Sequence, residues 1–217
     1  MNIIIKKVRL VAAPEPAFVG TRISIVIPDG EARTYGIFRG DLAEGHEAVT
    51  VDWGDGSVET FPGFMRITHE YAEAGAYDVV LSDDVANLVI GCHIGSEFFS
   101  VYAPLIRRAV FASEIVRPGN GFLRGATNMT EVDMTRCSAA ELPNRAFVKC
   151  EALTAIYLPN ITTVAETTTE VACAFYNCPS LREIHFSAAH EASITASPGY
   201  LTDPTLGAPN AKLSFDL

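Results

Sequence analysis

Asp52 and Asp55 stand on either side of Trp53 and Gly54, the chain's only tryptophan and its neighbour, in the stretch VDWGDGSVE. Carboxylates at this spacing can bind calcium, act as an acid–base pair, or turn a hairpin. A calcium loop of the EF-hand kind needs oxygen ligands at alternate positions and a glutamate further along, and Asp52 and Asp55 do not follow that pattern. An acid–base pair has no diagnostic spacing in sequence. Asp-Gly, in contrast, is a favoured hairpin turn, because glycine adopts positive φ without steric cost. A turn is therefore expected here, with a weak calcium site at Asp52 and Asp55 as the second reading.

The other chemistry-bearing residues form no known catalytic pattern. The 217 residues contain no Gly-x-Ser-x-Gly, phosphate-binding loop, dinucleotide fingerprint or His-Glu-x-x-His. The five histidines are scattered. The five cysteines, Cys92, Cys137, Cys150, Cys173 and Cys178, are odd in number and include no Cys-x-x-Cys pair, so neither a zinc site nor a disulfide framework is indicated. Buried free thiols are expected instead, since unpaired cysteine behaves as a small hydrophobe. The chain is expected not to be an enzyme and to need no cofactor.

The elements that hold these residues are mostly β. In RISIVIPDG, Ile23, Ile25 and Ile27 share one face before a Pro-Asp-Gly turn. In VTVDW, Val49, Val51 and Trp53 do the same, and AYDVVLSDD is a further strand between Gly75 and Asp83-Asp84. Short alternating strands punctuated by Gly, Pro and Asp predict an antiparallel sandwich over residues 1–95. MNIIIKKVRLVAA has its apolar run ahead of its basic residues, the reverse of a secretory signal, and reads as a strand.

Composition narrows the partners. The net charge is −10. An acidic balance disfavours nucleic acid and anionic membrane surfaces, which select for basic patches. No apolar run approaches the roughly 20 residues that span a bilayer, so membrane insertion is not expected.

VTVDWGDGSVETF followed by ITHEYAEAGAYDVVLSD resembles the polycystic-kidney-disease (PKD) domain. The resemblance rests on Trp53-Gly54-Asp55-Gly56, then His69 and Tyr71, then Gly75, Tyr77 and Val79. It implies an Ig-like β-sandwich, a spacer or binding role rather than catalysis, and a structural, hydrogen-bonded His69.

Residues 96–217 carry a repeat. LRGATNMTEVDM, FVKCEALTAIYL and FYNCPSLREIHF align from Leu123, Phe147 and Phe175, at intervals of 24 and 28 residues. The apolar columns are Leu123/Phe147/Phe175, Ala126/Cys150/Cys178, Met129/Leu153/Leu181, Val132/Ile156/Ile184 and Met134/Leu158/Phe186. Steps of three suit a helical turn and the final step of two suits a strand. Each unit is too small to bury its apolar face alone, so neighbours must stack. A fainter copy starts at Phe99, with Tyr102, Leu105 and Val110, and puts Arg108 in an apolar column. AKLSFDL reads as a capping strand without a preceding turn. AFVKCEALTAIYLP and AFYNCPSLREIHF resemble BspA-type leucine-rich repeats, which implies a short solenoid with a parallel sheet and a place among bacterial surface, adhesion or phage proteins.

The repeat alignment creates one candidate site. Residues flanking the Val132/Ile156/Ile184 column point outward: Glu131, Ala155 and Glu183 on one side, Asp133, Tyr157 and His185 on the other. With strands about 4.8 Å apart, these residues make a patch of carboxylates, tyrosine and histidine suited to sugars or polar protein surfaces. Glu131, Asp133, Tyr157, Glu183 and His185 are the expected ligand-binding residues. The expected function is binding or adhesion toward a host or cell-surface glycan or protein, on a bacterial surface or phage tail. The alternative is a structural virion or assembly protein, homo-oligomeric or bound to virion partners, whose faces serve subunit contacts.

Overall fold

The structure, a computed structural model, describes residues 20–30, 33–42, 44–82, 85–90, 101–111, 119–167 and 169–217. The expected N-terminal strand, Asp83-Asp84, Cys92, Phe99 and the division at residue 95 lie outside the described residues.

The fold is mostly β. Strands β1 (Gly20–Ile27), β2 (Thr34–Leu42), β3 (Val49–Asp52), β4 (Val58–Phe61), β5 (Phe64–Glu70), β6 (Gly75–Ser82) and β7 (Val85–Val89) occupy the first half. The second half holds β8 (Ile106–Phe111), β9 (Glu131–Asp133), β10 (Glu141–Leu142), β11 (Ala155–Leu158), β12 (Thr163–Val164), β13 (Glu183–Phe186) and β14 (Lys212–Phe215), with two one-turn helices, α1 (Glu191–Thr195) and α2 (Pro198–Thr202). Nine strands form one mixed sheet in the order β14-β13-β11-β9-β8-β1-β6-β3-β4. A three-stranded antiparallel sheet, β5-β2-β7, and a parallel pair, β10-β12, complete the fold.

Alternation explains the first half. Ile23, Ile25 and Ile27 of β1 and Val49 and Val51 of β3 are buried, and they share a core with Tyr35 and Ile37 of β2. The strands of the large sheet change direction at β8. That strand runs antiparallel to β1, with Ile23 opposite Ala109, and parallel to β9, with Ala109 opposite Val132. A single apolar core runs under both halves, from Trp53 to Phe186.

The repeat columns are buried throughout, from Leu123, Phe147 and Phe175 at 0% exposure to Val132 at 6%. Phe111, Phe122, Phe147 and Phe175 form a file of ring contacts inside the stack, with successive centroids 4.8, 6.2 and 5.2 Å apart. The three-residue steps are tight turns rather than helix. Ala126 N donates to Leu123 O, Cys150 N to Phe147 O and Leu181 N to Cys178 O. These turns also bond rung to rung: Leu123 N to Ala146 O, Phe147 N to Ala174 O and Phe175 N to Leu206 O. Backbone donors that a short helix end would leave unpaired are thereby satisfied by the next coil.

Two expectations about the array ends are corrected. In the rung before Leu123, Ala109, not Arg108, lies opposite Val132, so the interval is 23 residues rather than 24. Ala103, Ile106, Ala109 and Phe111 fill the core columns there, and Arg108 faces outward. A turn does precede the last strand. Asp203 builds it, accepting from Thr205 N at 2.8 Å and Gly207 N at 2.9 Å, and β14 then pairs parallel with β13.

The cysteine column is structural. Cys150 Sγ donates to Leu123 O at 3.4 Å and Cys178 Sγ to Phe147 O at 3.0 Å, each bond reaching the preceding rung. Burial pushes the Cys150 thiol far up and the Cys178 thiol to about 11, which keeps them protonated and unreactive.

Candidate functional site

Two aromatic–histidine clusters lie on the molecule, one in each half. The first gathers around the acidic turn. β3 and β4 pair as a hairpin, with Asp52 opposite Val58, and Gly54 and Gly56 both have positive φ. Asp52 Oδ1 accepts from Gly54 N, and Asp55 Oδ1 accepts from Ser57 N, both at 2.9 Å. Asp55 Oδ2 lies 2.8 Å from His69 Nε2. The His69 ring stacks on Trp53 at 4.9 Å, and Trp53 Nε1 donates to Glu59. Tyr71, buried edge-on to His69, donates its hydroxyl to Trp53 O. Burial works against the Asp55 charge, but the bonds from His69 and Ser57 outweigh it and hold the carboxyl below its usual range. Both Asp55 oxygens are therefore engaged in folding the turn. Among the described residues no group of three or more histidine, cysteine or acidic side chains is arranged to hold a metal ion.

The second cluster is the expected strand ladder. Parallel register puts Tyr157 between Asp133 and His185, and Ala155 beside Glu183. Glu131, Tyr157 and Glu183 are exposed, while Asp133, Ala155 and His185 are partly covered. The alternation that buries Ile156 and Leu158 at 0% and 1% leaves Tyr157 44% exposed. Its ring lies flat on His185, centroids 4.7 Å apart and planes within 9°. His185 is held from both sides: Nδ1 is 2.8 Å from Asp216 Oδ1, and Nε2 is 3.2 Å from Glu183 Oε2.

Those two carboxylates, Asp216 foremost, raise the His185 pKa above the usual histidine value. A histidine stabilised in its charged form contributes stability that is complete below the unfolded pKa of ~6.5 and is lost as pH rises through the folded pKa. In an NMR titration, the His185 ring is expected to deprotonate above that value. Asp216→Asn should bring the midpoint back down, and a wild-type midpoint at or below the ordinary value would contradict the clamp. With both nitrogens held by carboxylates, His185 is built as a fixed cation. Among the described residues, neither His69 nor His185 is hydrogen-bonded to a serine, threonine or cysteine, as nucleophile activation requires.

The ladder is wider than the sequence columns suggested. Arg108 of β8 pairs with Glu131, its Nε 2.9 Å from Oε1. On the far side Lys212 and Ser214 lie opposite Glu183 and His185. The alternation of KLSFDL could have found Lys212, Ser214 and Asp216; Arg108 was hidden by the one-residue register error. The ladder is also interrupted. β11 pairs with β13 along its whole length, but with β9 only at Tyr157–Asp133. The strands part above that point and leave a groove of about 380 Å³. Thr130, Glu131, Asp133, Thr154, Ala155 and Tyr157 line it.

The two glycosylation-like triplets of the sequence also have structural roles. Asn128 Nδ2 donates to Pro104 O at 2.8 Å, and Asn160 Nδ2 donates to Thr135 O and Cys137 O at 3.1 and 2.9 Å. Both amides tie one coil to the previous one.

Comparison with protein-family models, with curated proteins and with solved structures finds no match to this chain.

Proposed function

We propose that this chain is a non-enzymatic recognition module that binds a glycan or protein through the outer face of its parallel strands. The observation that carries this reading is Tyr157. An exposed aromatic costs little entropy to immobilise when its ring is already fixed, and this one is stacked on a histidine clamped by Asp216 and Glu183. Fixed aromatics amid hydrogen-bonding groups are the usual centres of binding energy.

The family reading is part of the same proposal: a PKD-like, Ig-like sandwich leading into BspA-type leucine-rich repeats. Its support is the Trp53–His69–Tyr71 cluster around the Gly54-Asp55-Gly56 turn, and the buried repeat columns with parallel register. With that reading goes a setting on a bacterial surface or in a phage particle.

Tyr157→Ala is expected to weaken binding by about 2 kcal/mol or more, with little change in melting temperature. Arrays of glycans and of surface proteins, probed with both forms, measure this. A variant that keeps every interaction of the parent moves the binding face elsewhere.

The second reading, a virion or assembly component, is favoured by the two ends of the large sheet. Among the described residues no strand covers the outer edge of β4 or β14, and open edges are templates for pairing between chains. Sedimentation across a concentration series separates the readings. Self-association that protects Tyr157 from solvent makes the ladder a subunit contact.

A further inference from the structure

We infer that the groove between β9 and β11 is a subsite for one neutral pyranose ring, seated on the free face of Tyr157. This rests on the reading of the outer face as a recognition surface, and it names the ligand chemistry.

The argument starts from the ring. One face of Tyr157 is taken by His185. The ring remains 44% exposed, and Tyr157 forms one wall of the groove whose opposite wall carries Glu131 and Asp133. At about 380 Å³, the groove falls at the small end of ligand sites, roughly 300–1,000 Å³. Its floor is narrow because Ala155 stands where the neighbouring strands carry Glu131 and Glu183.

The polar lining suits hydroxyl groups. Asp133 Oδ1 accepts from both the amide and the hydroxyl of Thr135, at 2.9 and 2.7 Å. Those bonds fix the carboxylate, and Oδ2 has no partner among the described residues. A fixed carboxylate oxygen beside an aromatic platform can accept from a sugar hydroxyl while the ring's C–H face lies on the tyrosine. Bonds to a charged acceptor are about twice as strong as neutral ones. Thr130 and Thr154 add hydroxyls that both donate and accept.

Charge decides between a sugar and a cationic side chain. Glu131 is already paired with Arg108, and the π-face that would attract a cation is backed by the His185 imidazolium. A second cation on the opposite face would lose the quadrupole attraction that cation–π binding depends on. A neutral ring needs no such attraction.

The test is an NMR titration of the whole chain with the methyl glycosides of glucose, galactose, mannose and N-acetylglucosamine at millimolar concentrations, with a short arginine-rich peptide in parallel. Shifts confined to Asp133, Thr135, Ala155 and Tyr157 with at least one glycoside, insensitive to salt, are expected. Tyr157→Ala should weaken that binding about tenfold or more, and Asp133→Asn, which preserves shape, should weaken it severalfold. Silence toward all four glycosides overturns the subsite, as does binding of the peptide alone. If the glycosides are silent but a protein partner is lost with Tyr157→Ala, the subsite fails while the recognition face stands. If Tyr157→Ala alters no interaction at all, both fail.

Discussion

Phe147→Ala is expected to cost about 3–5 kcal/mol of folding stability, the range for deleting a fully buried aromatic. Phe147 is 0% exposed. Its ring is stacked 5.2 Å from Phe175 and meets Phe122 edge-on at 6.2 Å. Neighbours on both sides would have to collapse into the vacated space, and both are anchored by rung-to-rung backbone bonds. Phe175→Ala should behave alike. The loss should also reach the first half, because one core and one sheet run through both. Urea unfolding followed by Trp53 fluorescence and by far-ultraviolet dichroism should show both midpoints moving together. An unchanged midpoint would mean that the repeat columns are misassigned.

The second large effect is expected at Gly54. Its φ is +82°, and a Cβ there would sit 2.6 Å from Asp78 O of β6. Gly54→Ala therefore combines backbone strain with overpacking, each worth about 1–3 kcal/mol, for a total of ~4 kcal/mol. Gly56 is the control. Its φ is +96°, but a Cβ there would meet nothing within 4 Å, so Gly56→Val should cost only the strain, about 1–3 kcal/mol. Thermal melts of the two variants test the difference. Equal losses would mean that close approach to β6 contributes nothing. A melting temperature of the parent that rises with micromolar calcium would return Asp52 and Asp55 to the role of ligands.

Much of this architecture was legible because burial imposes a period. Alternation located β1, β3 and β6, and the three-three-three-two spacing located the buried columns from Leu123 to Phe186. The first rung was misread by one residue because Ala103 and Ala109 are small enough to leave no hydrophobic signal, while Tyr102 and Leu105 beside them are larger and more apolar. The turn before β14 was missed for the same reason: Ala208 and Ala211 occupy it. Pairing of β1 with β8 had no local signature, since antiparallel strands more than 80 residues apart are chosen by tertiary packing. At the candidate site, the outward columns followed from the strand period, but the groove did not. It depends on how far β9 and β11 stay paired, which no residue in either strand announces. The clamp on His185 was equally hidden, because Asp216 lies 31 positions away, just past the end of β14.

The change of direction at β8 makes the length of the array an independent quantity. Every coil beyond β8 repeats the same buried columns and bonds to its neighbours through equivalent carbonyls. An in-frame duplication of one repeat, as from Leu123 to Ala146, inserts a strand and widens the sheet by about 4.8 Å, while the β1–β8 pairing and the turn at Asp203 keep their own partners. A duplication of any other size would throw the columns out of phase. The gene can thus alter how far this surface extends only in whole steps, and related chains are expected to differ in reach by multiples of one strand spacing.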